Sequence, residues 1–192
     1  MLRHARPEPG PRSACLLNSR HDEISGFGSL TRPARLPSPA GHAMNAIDPR
    51  GLSRRPAAPA DLPFLLSLRD TTMTRHFVAS GADVTRAEHL QRVMFRYECA
   101  EVLERGGKPV GIFKVTRDGL EWQLVQIQVA PELQGQGIGE ALIRELIAEA
   151  RDAGAALTLR VLHANPARRL YERLGFRVFE QGEHDFGMRL DL

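Results

Sequence analysis

Apolar and polar residues follow two distinct periods from about residue 50 to the end of the chain. Alternation of period two predicts strands over residues 52–57, 122–130, 156–162, 176–182 and 184–190, and a strand–turn–strand unit over 99–115. Apolar spacing of three to four residues predicts helices over residues 59–77, 85–98, 138–152 and 165–175. This order of elements predicts an α/β fold, a mixed sheet of about six or seven strands flanked by about four helices.

Residues with capping chemistry mark the ends of the predicted helices. Asp61 is a candidate N-cap of the first helix, and Thr85 with Glu88 forms a capping box before the second. Gly154 ends the third helix, and Asn165 is the N-cap of the fourth. The second helix is expected to bury one apolar face, formed by Leu90, Val93, Met94 and Tyr97.

The first 43 residues differ from the rest in composition. They are rich in Pro, Gly, Ser and Arg and show neither period, so they cannot bury enough apolar surface to offset the entropy of ordering. We therefore expect a disordered Pro/Arg-rich tail over residues 1–43 and a globular domain over residues 44–192. Met44 stands at the boundary, which raises the alternative that the tail reflects a start site chosen too far upstream.

The net charge of +3 and the pI of 9.3 are compatible with a nucleic-acid-binding protein. The tail, however, holds six arginines against three acidic residues, so residues 44–192 are neutral. The neutral domain argues against nucleic acid as a partner. Only two of the 26 basic residues are lysines, an arginine excess that favours a bacterial source.

Membrane, disulfide and metal signals are weak in this sequence. Apolar runs stay below the roughly 18 residues of a membrane helix. Cys15 and Cys99 suggest no disulfide framework and have no metal-ligand spacing. We therefore expect a cytoplasmic protein with no metal and no membrane contact.

Three glycines lie close together in the run QGQGIGE (Gln134–Glu140), between a predicted strand and a predicted helix. Backbone N–H groups at a helix N-terminus lack intrahelical partners, and glycines let a phosphate approach them. The run therefore fits an anion site, although it also suits a plain connecting loop. No lysine follows the glycines as in the P-loop of nucleotide hydrolases, so that kind of site is disfavoured.

Two stretches, VQIQVAPELQGQGIGEALI and NPARRLYERLGF, follow each other with a helix and a strand between them. Together they resemble two motifs of the GNAT superfamily of acetyl-CoA-dependent N-acetyltransferases. The first matches the family pattern Gln/Arg-x-x-Gly-x-Gly/Ala at Gln134, Gly137 and Gly139. The second matches the family's next motif at Asn165, Tyr171, Leu174, Gly175 and Phe176.

This resemblance implies a GNAT fold that binds acetyl-CoA as co-substrate. The glycine run would hold the diphosphate, and the strand before it would pair with the pantetheine amides. That strand would splay from residues 156–162, with the thioester in the gap. Asn165 would hydrogen-bond the pantetheine arm and also cap its helix. The implied acyl-CoA-binding residues are Ile127, Gln128, Val129, Gln134, Gly135, Gln136, Gly137, Ile138, Gly139 and Asn165.

The resemblance also implies a catalytic residue. Tyr171 occupies the position of the family's general acid, which protonates the departing thiolate, and the alternative is helix packing. A phenol with a pKa near 10 suits that role at neutral pH. The backbone N–H of Val129 is a candidate donor to the thioester oxygen.

The general base stays open at this stage. Many family members carry a glutamate on one of the two splayed strands, where this chain has Gln126, Gln128 and Arg160. Arg160 replaces the glutamate usual in ribosomal-protein N-terminal acetyltransferases, which counts against that substrate class. The remaining candidates are Glu121, Glu98, His163 and a chain of water molecules.

Other residues have weaker claims. Trp122 could line the acceptor pocket or simply pack, and His184 on the last strand could border that pocket. Solvated arginines on the fourth helix could alternatively reach the 3′-phosphate of CoA, namely Arg168, Arg169 and Arg173.

Three functions are compatible with these features. The first is N-acetylation of a primary amine, on a small molecule or a protein, by direct attack in a ternary complex. The second is a catalytically silent acyl-CoA sensor, which the missing strand glutamate favours. The third is a toxin that acetylates aminoacyl-tRNA, which would need a basic surface. Family members often form dimers, so a homodimer is a further expectation.

Overall fold

The computed structural model describes residues 51–192, so the tail expected over residues 1–43 lies outside the described part of the chain. The strands are β1 (Leu52–Pro56), β2 (Ala100–Arg105), β3 (Lys108–Asp118), β4 (Glu121–Val129), β5 (Ala156–Leu162), β6 (Arg177–Gln181) and β7 (Asp185–Leu190). The helices are α1 (Leu62–Ala79), α2 (Arg86–Met94), α3 (Ile138–Ala153) and α4 (Ala167–Arg173).

The seven strands form one sheet in the order β1-β2-β3-β4-β5-β7-β6. Neighbouring strands are antiparallel except β4 and β5, which are parallel and are joined through α3. This is the mixed α/β sheet that the sequence predicts, with seven strands and four helices.

The parallel pair separates halfway along its length. β4 and β5 pair from Glu121–Ala156 to Leu124–Leu159, and the register ends there. Beyond that point β5 pairs only with β7, while β4 continues beside β3 as far as Val129. The second half of β4 therefore has an open edge, as the family resemblance implied.

A bulge in β4 decides which side chains face which layer. Gln126 opposes Lys114 and Leu124 opposes Val115, so Val125 is the extra residue. The bulge places Leu124 in the core beneath α3, while Gln126 is buried on the opposite face. Strict alternation would have put both side chains on one face.

Two apolar clusters hold the layers together. One lies between the sheet and α3, where Leu142, Ile143 and Leu146 pack with Phe113. The other lies on the opposite face beneath α1 and α2, and it is formed by Leu65, Leu68, Val93, Ala100, Val102, Ile112 and Ala130. Two packed faces fix the sheet between its helices.

The rotation of α2 differs from the expectation. His89 and Val93 form its buried face, whereas Leu90 and Met94 are exposed. Contacts on both sides fix this rotation: His89 lies edge-on to Phe77 of α1, and Lys114 of β3 donates through Nζ to Val93 O at 2.7 Å. The capping box of Thr85 and Glu88 is confirmed.

Two other helix ends differ in detail. Asp61 precedes α1, but its carboxylate accepts hydrogen bonds from Arg55 and from Ala58 N instead of capping the helix. Helix α4 begins one residue later than expected, at Ala167. Within residues 51–192, no helix is both long enough and apolar enough to span a membrane.

Candidate active site

A cleft of about 460 Å³ lies between the open edge of β4 and the N-termini of α3 and α4. The C-terminal half of α1 closes it on another side through Thr72, Met73, Arg75 and His76. Its volume lies in the range of about 300–1,000 Å³ that is typical of ligand sites.

The open edge of β4 presents backbone hydrogen-bonding groups to this cleft. Ala130 N donates to Val110 O at 2.8 Å, which makes Gly111–Val129 a non-hydrogen-bonded pair in the ladder with β3. The N–H groups of Ile127 and Val129 therefore point away from β3, toward the side that β5 leaves open. The backbone of Gln128, by contrast, points toward Ile112 of β3.

The glycine run turns sharply into α3. Gly135 and Gly137 have φ angles of +75° and +73°, a left-handed conformation that glycine adopts without a steric penalty. Gly137 is the N-cap of α3, and no side chain of the described residues caps that end. The N–H groups of Ile138 and Gly139 thus begin the helix without intrahelical acceptors.

A hydrogen bond from the Gln134 side chain holds the start of this loop against β4. Its side-chain Nε2 donates to Val129 O at 2.9 Å, which leaves the Val129 N–H as the group that faces the cleft. Gln136, in contrast, bonds back to Glu132 O at 3.1 Å and does not line the cleft. All the other residues assigned to acyl-CoA binding from the sequence do line it.

Asn165 and Tyr171 reach the cleft from the segment around α4. Asn165 Oδ1 accepts from Ala167 N at 2.9 Å, so its amide nitrogen stays available to a ligand. Tyr171 is buried and lies edge-on to Phe176, with ring centroids 5.9 Å apart. Burial raises the pKa of Tyr171 to about 12.

A second, smaller cleft of about 130 Å³ adjoins the first. Both clefts are lined by Met73, Ile127, Gln128, Asn165 and Tyr171. A molecule in one cleft would therefore lie near a molecule in the other, with Tyr171 lining both sites.

The residues considered as bases from the sequence lie outside both clefts. Glu121 forms a bidentate ion pair with Arg189 at 2.7 and 2.8 Å. Glu98 is exposed. His163 contacts Asp185 O through Nε2 at 3.1 Å and stacks on Phe186.

The remaining candidate pocket residues have mixed outcomes. Trp122 donates to Gly119 O at 3.1 Å and packs on the core, and His184 contacts Ser80 O; neither lines a cleft. Of the three arginines on α4, only Arg173 lines the larger cleft.

Helix α1 contributes residues that the sequence did not single out. Arg75 and His76 line the larger cleft, and burial, together with the charge of Arg75, lowers the pKa of His76 below its usual value. No motif marks α1, and the signal available in the sequence was a pair of basic residues, Arg75 and His76, near the end of a predicted helix.

Comparisons with known proteins agree with this architecture. Residues 96–178 match the family model for the acetyltransferase (GNAT) domain. A segment of 68 residues is 37% identical to a GCN5-like protein acetyltransferase of Mycobacterium tuberculosis. That match covers 34% of this chain and 33% of the relative, so it spans about one third of that curated protein.

Solved structures share the whole fold. A putative acetyltransferase from Salmonella typhimurium, solved with its cofactor acetyl-CoA, is 25% identical with a TM-score of 0.51, over 74% of this chain and 94% of that one. The PaiA N-acetyltransferase from Thermoplasma acidophilum, solved with coenzyme A, is 16% identical with a TM-score of 0.58. The match with PaiA covers 73% of this chain and 99% of that one.

The splayed β4 and β5, the glycine-rich entry to α3, the tyrosine of α4 and the matched family model all lead to one conclusion. Residues 96–178 match the acetyltransferase domain of the GNAT superfamily, and the described part of the chain has the fold of solved GNAT acetyltransferases.

Proposed function

We propose that this protein is an N-acetyltransferase that moves an acetyl group from acetyl-CoA to a primary amine while both are bound. The acceptor belongs to a small molecule or a protein. The observation that carries this proposal is the position of Tyr171, buried and shared between the two clefts beside the open edge of β4.

The larger cleft fits acetyl-CoA through donors of three kinds. The N–H groups of Ile127 and Val129 suit the amides of a pantetheine arm, as a neighbouring strand would pair with them. The N-terminus of α3 suits the diphosphate, because its amides and its dipole favour an anion. Arg75 and Arg173 add positive charge to the same cleft.

The proposed acetyl transfer uses groups that lie where the two clefts adjoin. Acetyl-CoA supplies an acetyl group activated as a thioester. The N–H of Val129 is suited to stabilise negative charge on the thioester oxygen as the amine nitrogen attacks the carbonyl carbon. Tyr171 donates its phenolic proton to the departing sulfur as the C–S bond breaks. Holding both reactants in one geometry supplies much of the acceleration.

The proton of the attacking amine passes to water in this proposal. The two carboxylates that line the clefts already have partners: Glu140 bonds to Arg144 and Asp185 bonds to Arg160. His76 accepts a long hydrogen bond from Arg75 at 3.4 Å. Among the described lining residues, no acidic side chain is thus left to serve as a dedicated base.

A second candidate function is a catalytically silent acyl-CoA sensor. The lack of an unpaired carboxylate among the described cleft residues favours it. Under this alternative the larger cleft binds acetyl-CoA, but no amine is acetylated.

Thiol release distinguishes the two. The protein is incubated with acetyl-CoA and a panel of amines that contains amino acids, polyamines, aminoglycosides and lysine peptides, and free CoA thiol is measured. An acetyltransferase releases thiol only when one class of amine is present. Binding of acetyl-CoA without release on any amine would favour the sensor.

A further inference from the structure

The smaller cleft contains positive charge that no residue of the described range 51–192 neutralises. Two arginines line it, Arg69 from α1 and Arg92 from α2, together with the ion pair of Arg160 and Asp185. Gln126 and Gln128 form its floor on β4. The uncompensated charge lies beside the boundary where an acceptor amine would sit.

Arg69 is buried and has no counter-ion among residues 51–192. The residue is only 6% exposed, and its Nε has no hydrogen-bond partner in that part of the chain. Its guanidinium carbon Cζ lies over the ring of Phe77, 5.7 Å from the ring centroid. Burial, and secondarily the charge of Arg92, lowers the pKa of Arg69 to about 9, so the side chain is still charged at neutral pH.

Arg92, on α2, also lies over the Phe77 ring and lacks a counter-ion among the described residues. It is half-buried, lies 5.2 Å from the same Phe77 ring, and has no ion pair among the described residues. The two arginines therefore lie near each other and repel. Cation–π contacts are worth about 0.5–2 kcal/mol, which does not offset the several kcal/mol lost when a charge is buried unpaired.

The acidic groups around the smaller cleft are engaged elsewhere. Asp185 is held by Arg160 through two hydrogen bonds of 2.6 and 3.0 Å. Glu88 accepts from Thr85 N at 2.7 Å as part of the capping box. Asp70 is exposed and lies 3.8 Å from His89 Nε2. An anion from outside would therefore supply the missing negative charge.

The floor of the cleft is polar as well. Gln126 Nε2 donates to Gln128 Oε1 at 2.8 Å, and both side chains are buried. This pairing leaves donor capacity on the amide nitrogen of Gln128 and acceptor capacity on the amide oxygen of Gln126. A buried polar floor of this kind favours a ligand with polar groups over an apolar one.

We propose that the smaller cleft binds a carboxylate of the acceptor through Arg69 and Arg92, so that the acceptor is a small amino acid-like molecule. The amine part of this inference rests on the proposed function, whereas the carboxylate part rests only on the cleft. Guanidinium groups bind carboxylates through paired, charge-assisted hydrogen bonds. A volume of about 130 Å³ limits the acceptor to a short carbon chain.

Binding of matched acids and amides to the full chain tests the proposal. Glycine, β-alanine and 4-aminobutyrate, each beside its amide, are titrated calorimetrically into protein saturated with CoA, at constant ionic strength. We expect at least one acid to bind ten or more times more tightly than its amide. Equal binding of acids and amides, or no binding of either, overturns the proposal.

Variants locate the site. Arg92→Gln should abolish the preference for the acid and leave CoA affinity within twofold. Arg86→Gln, on the exposed start of the same helix, removes an equal charge and should retain the preference. A preference that survives Arg92→Gln, or that Arg86→Gln also removes, overturns the assignment.

Arg69→Met separates a binding role from a structural one. A buried charge that awaits a ligand costs stability in the free protein, so its removal should leave the melting temperature unchanged or raise it while acid binding falls at least tenfold. A lower melting temperature with acid binding intact would mean that Arg69 is structural and would contradict the proposal.

Measurements of turnover distinguish failure of the acetyltransferase proposal from failure of the carboxylate-site proposal. If an acid binds through these arginines but no tested amine releases thiol, the acetyltransferase proposal fails and the carboxylate site stands. If polyamines or other cationic amines are acetylated and the acids are neither bound nor acetylated, the acetyltransferase proposal stands and the carboxylate site fails.

Discussion

Tyr171 combines two properties that a general acid needs. The residue lines both clefts, and burial alone raises the pKa of its phenol to about 12. The buried phenol therefore stays protonated near neutral pH, so it can donate a proton to a departing thiolate. Its ring also lies edge-on to Phe176, so the side chain proposed as the general acid is also part of the apolar core.

Replacing Tyr171 with Phe should lower kcat about 10- to 100-fold, because removal of a positioned acid typically costs at least that much. The KM for acetyl-CoA should stay within twofold, since the ring and its packing are kept. Steady-state thiol release measures both constants.

Tyr97→Phe is the matched control. Tyr97 donates to Ala58 O at 2.7 Å and lines neither cleft. Loss of that bond should cost about 1 kcal/mol of unfolding free energy and leave kcat unchanged. Equal kcat in wild type and Tyr171→Phe would remove Tyr171 as the acid.

The pH dependence of turnover should reflect the acceptor more than the enzyme. If water takes the amine proton, kcat/KM rises with pH and its midpoint follows the pKa of each amine. Because the pKa of Tyr171 is raised to about 12, its deprotonation should cause no loss of rate below pH 10. Profiles for two acceptors of different amine pKa check both points. A shared midpoint near 6–7 would instead indicate a base on the enzyme.

The glycines before, within and after α3 have different roles. Gly135 and Gly137, in the loop before the helix, and Gly154, at its end, have left-handed φ angles that glycine adopts without strain. Gly139 is helical, and a Cβ there would meet only Ile127 Cδ1, at 3.9 Å. The fold therefore leaves room for a side chain at position 139, which lines the larger cleft.

Gly139→Val and Gly154→Ala should behave in opposite ways. Valine at position 139 should change the free energy of unfolding by less than about 1 kcal/mol, because valine and glycine are both modest helix formers. It should also weaken acetyl-CoA binding about tenfold or more, because a branched side chain, larger than the alanine that the family pattern accepts, stands where the phosphate would approach.

Alanine at position 154 should destabilise the fold by roughly 1 kcal/mol through its positive φ angle and leave binding unchanged. Calorimetry measures the acetyl-CoA affinity of each variant, and thermal unfolding measures the stability of each. Unaltered acetyl-CoA affinity in Gly139→Val would contradict a phosphate site at this helix end.

Element order and capping were predictable from the sequence because they depend on local chemistry. The box at Thr85, the stop at Gly154 and every strand of the sheet were predicted within a few residues. The bulge at Val125 and the rotation of α2 were not, since both depend on contacts between distant segments. The same reason hid Arg69 and Arg92, which no motif marks and which only the packing of α1, α2 and β4 brings together.

At the scale of the whole molecule, the separation of β4 from β5 creates the site. One open strand edge presents backbone donors to the larger cleft, and its buried glutamines form the floor of the smaller one. In our proposal, the residues that tell one acceptor from another are Arg69 and Arg92, which come from α1 and α2, outside the matched motifs. Family motifs therefore indicate the reaction but not the acceptor.

Removal of residues 1–43 should leave folding and acetyl-CoA affinity intact, because residues 69 and beyond supply the described lining of both clefts. Circular dichroism and calorimetry of the shortened chain measure this. Lower solubility or affinity would assign the tail a structural role.

Each function proposed for this protein requires that the larger cleft binds acetyl-CoA. Isothermal titration of the full chain with acetyl-CoA tests this most directly, with Gly139→Val as the paired variant. We expect saturable binding of one molecule per chain with a Kd on the order of micromolar, weakened in the variant. No heat of binding up to about millimolar acetyl-CoA, from a folded protein, would contradict it.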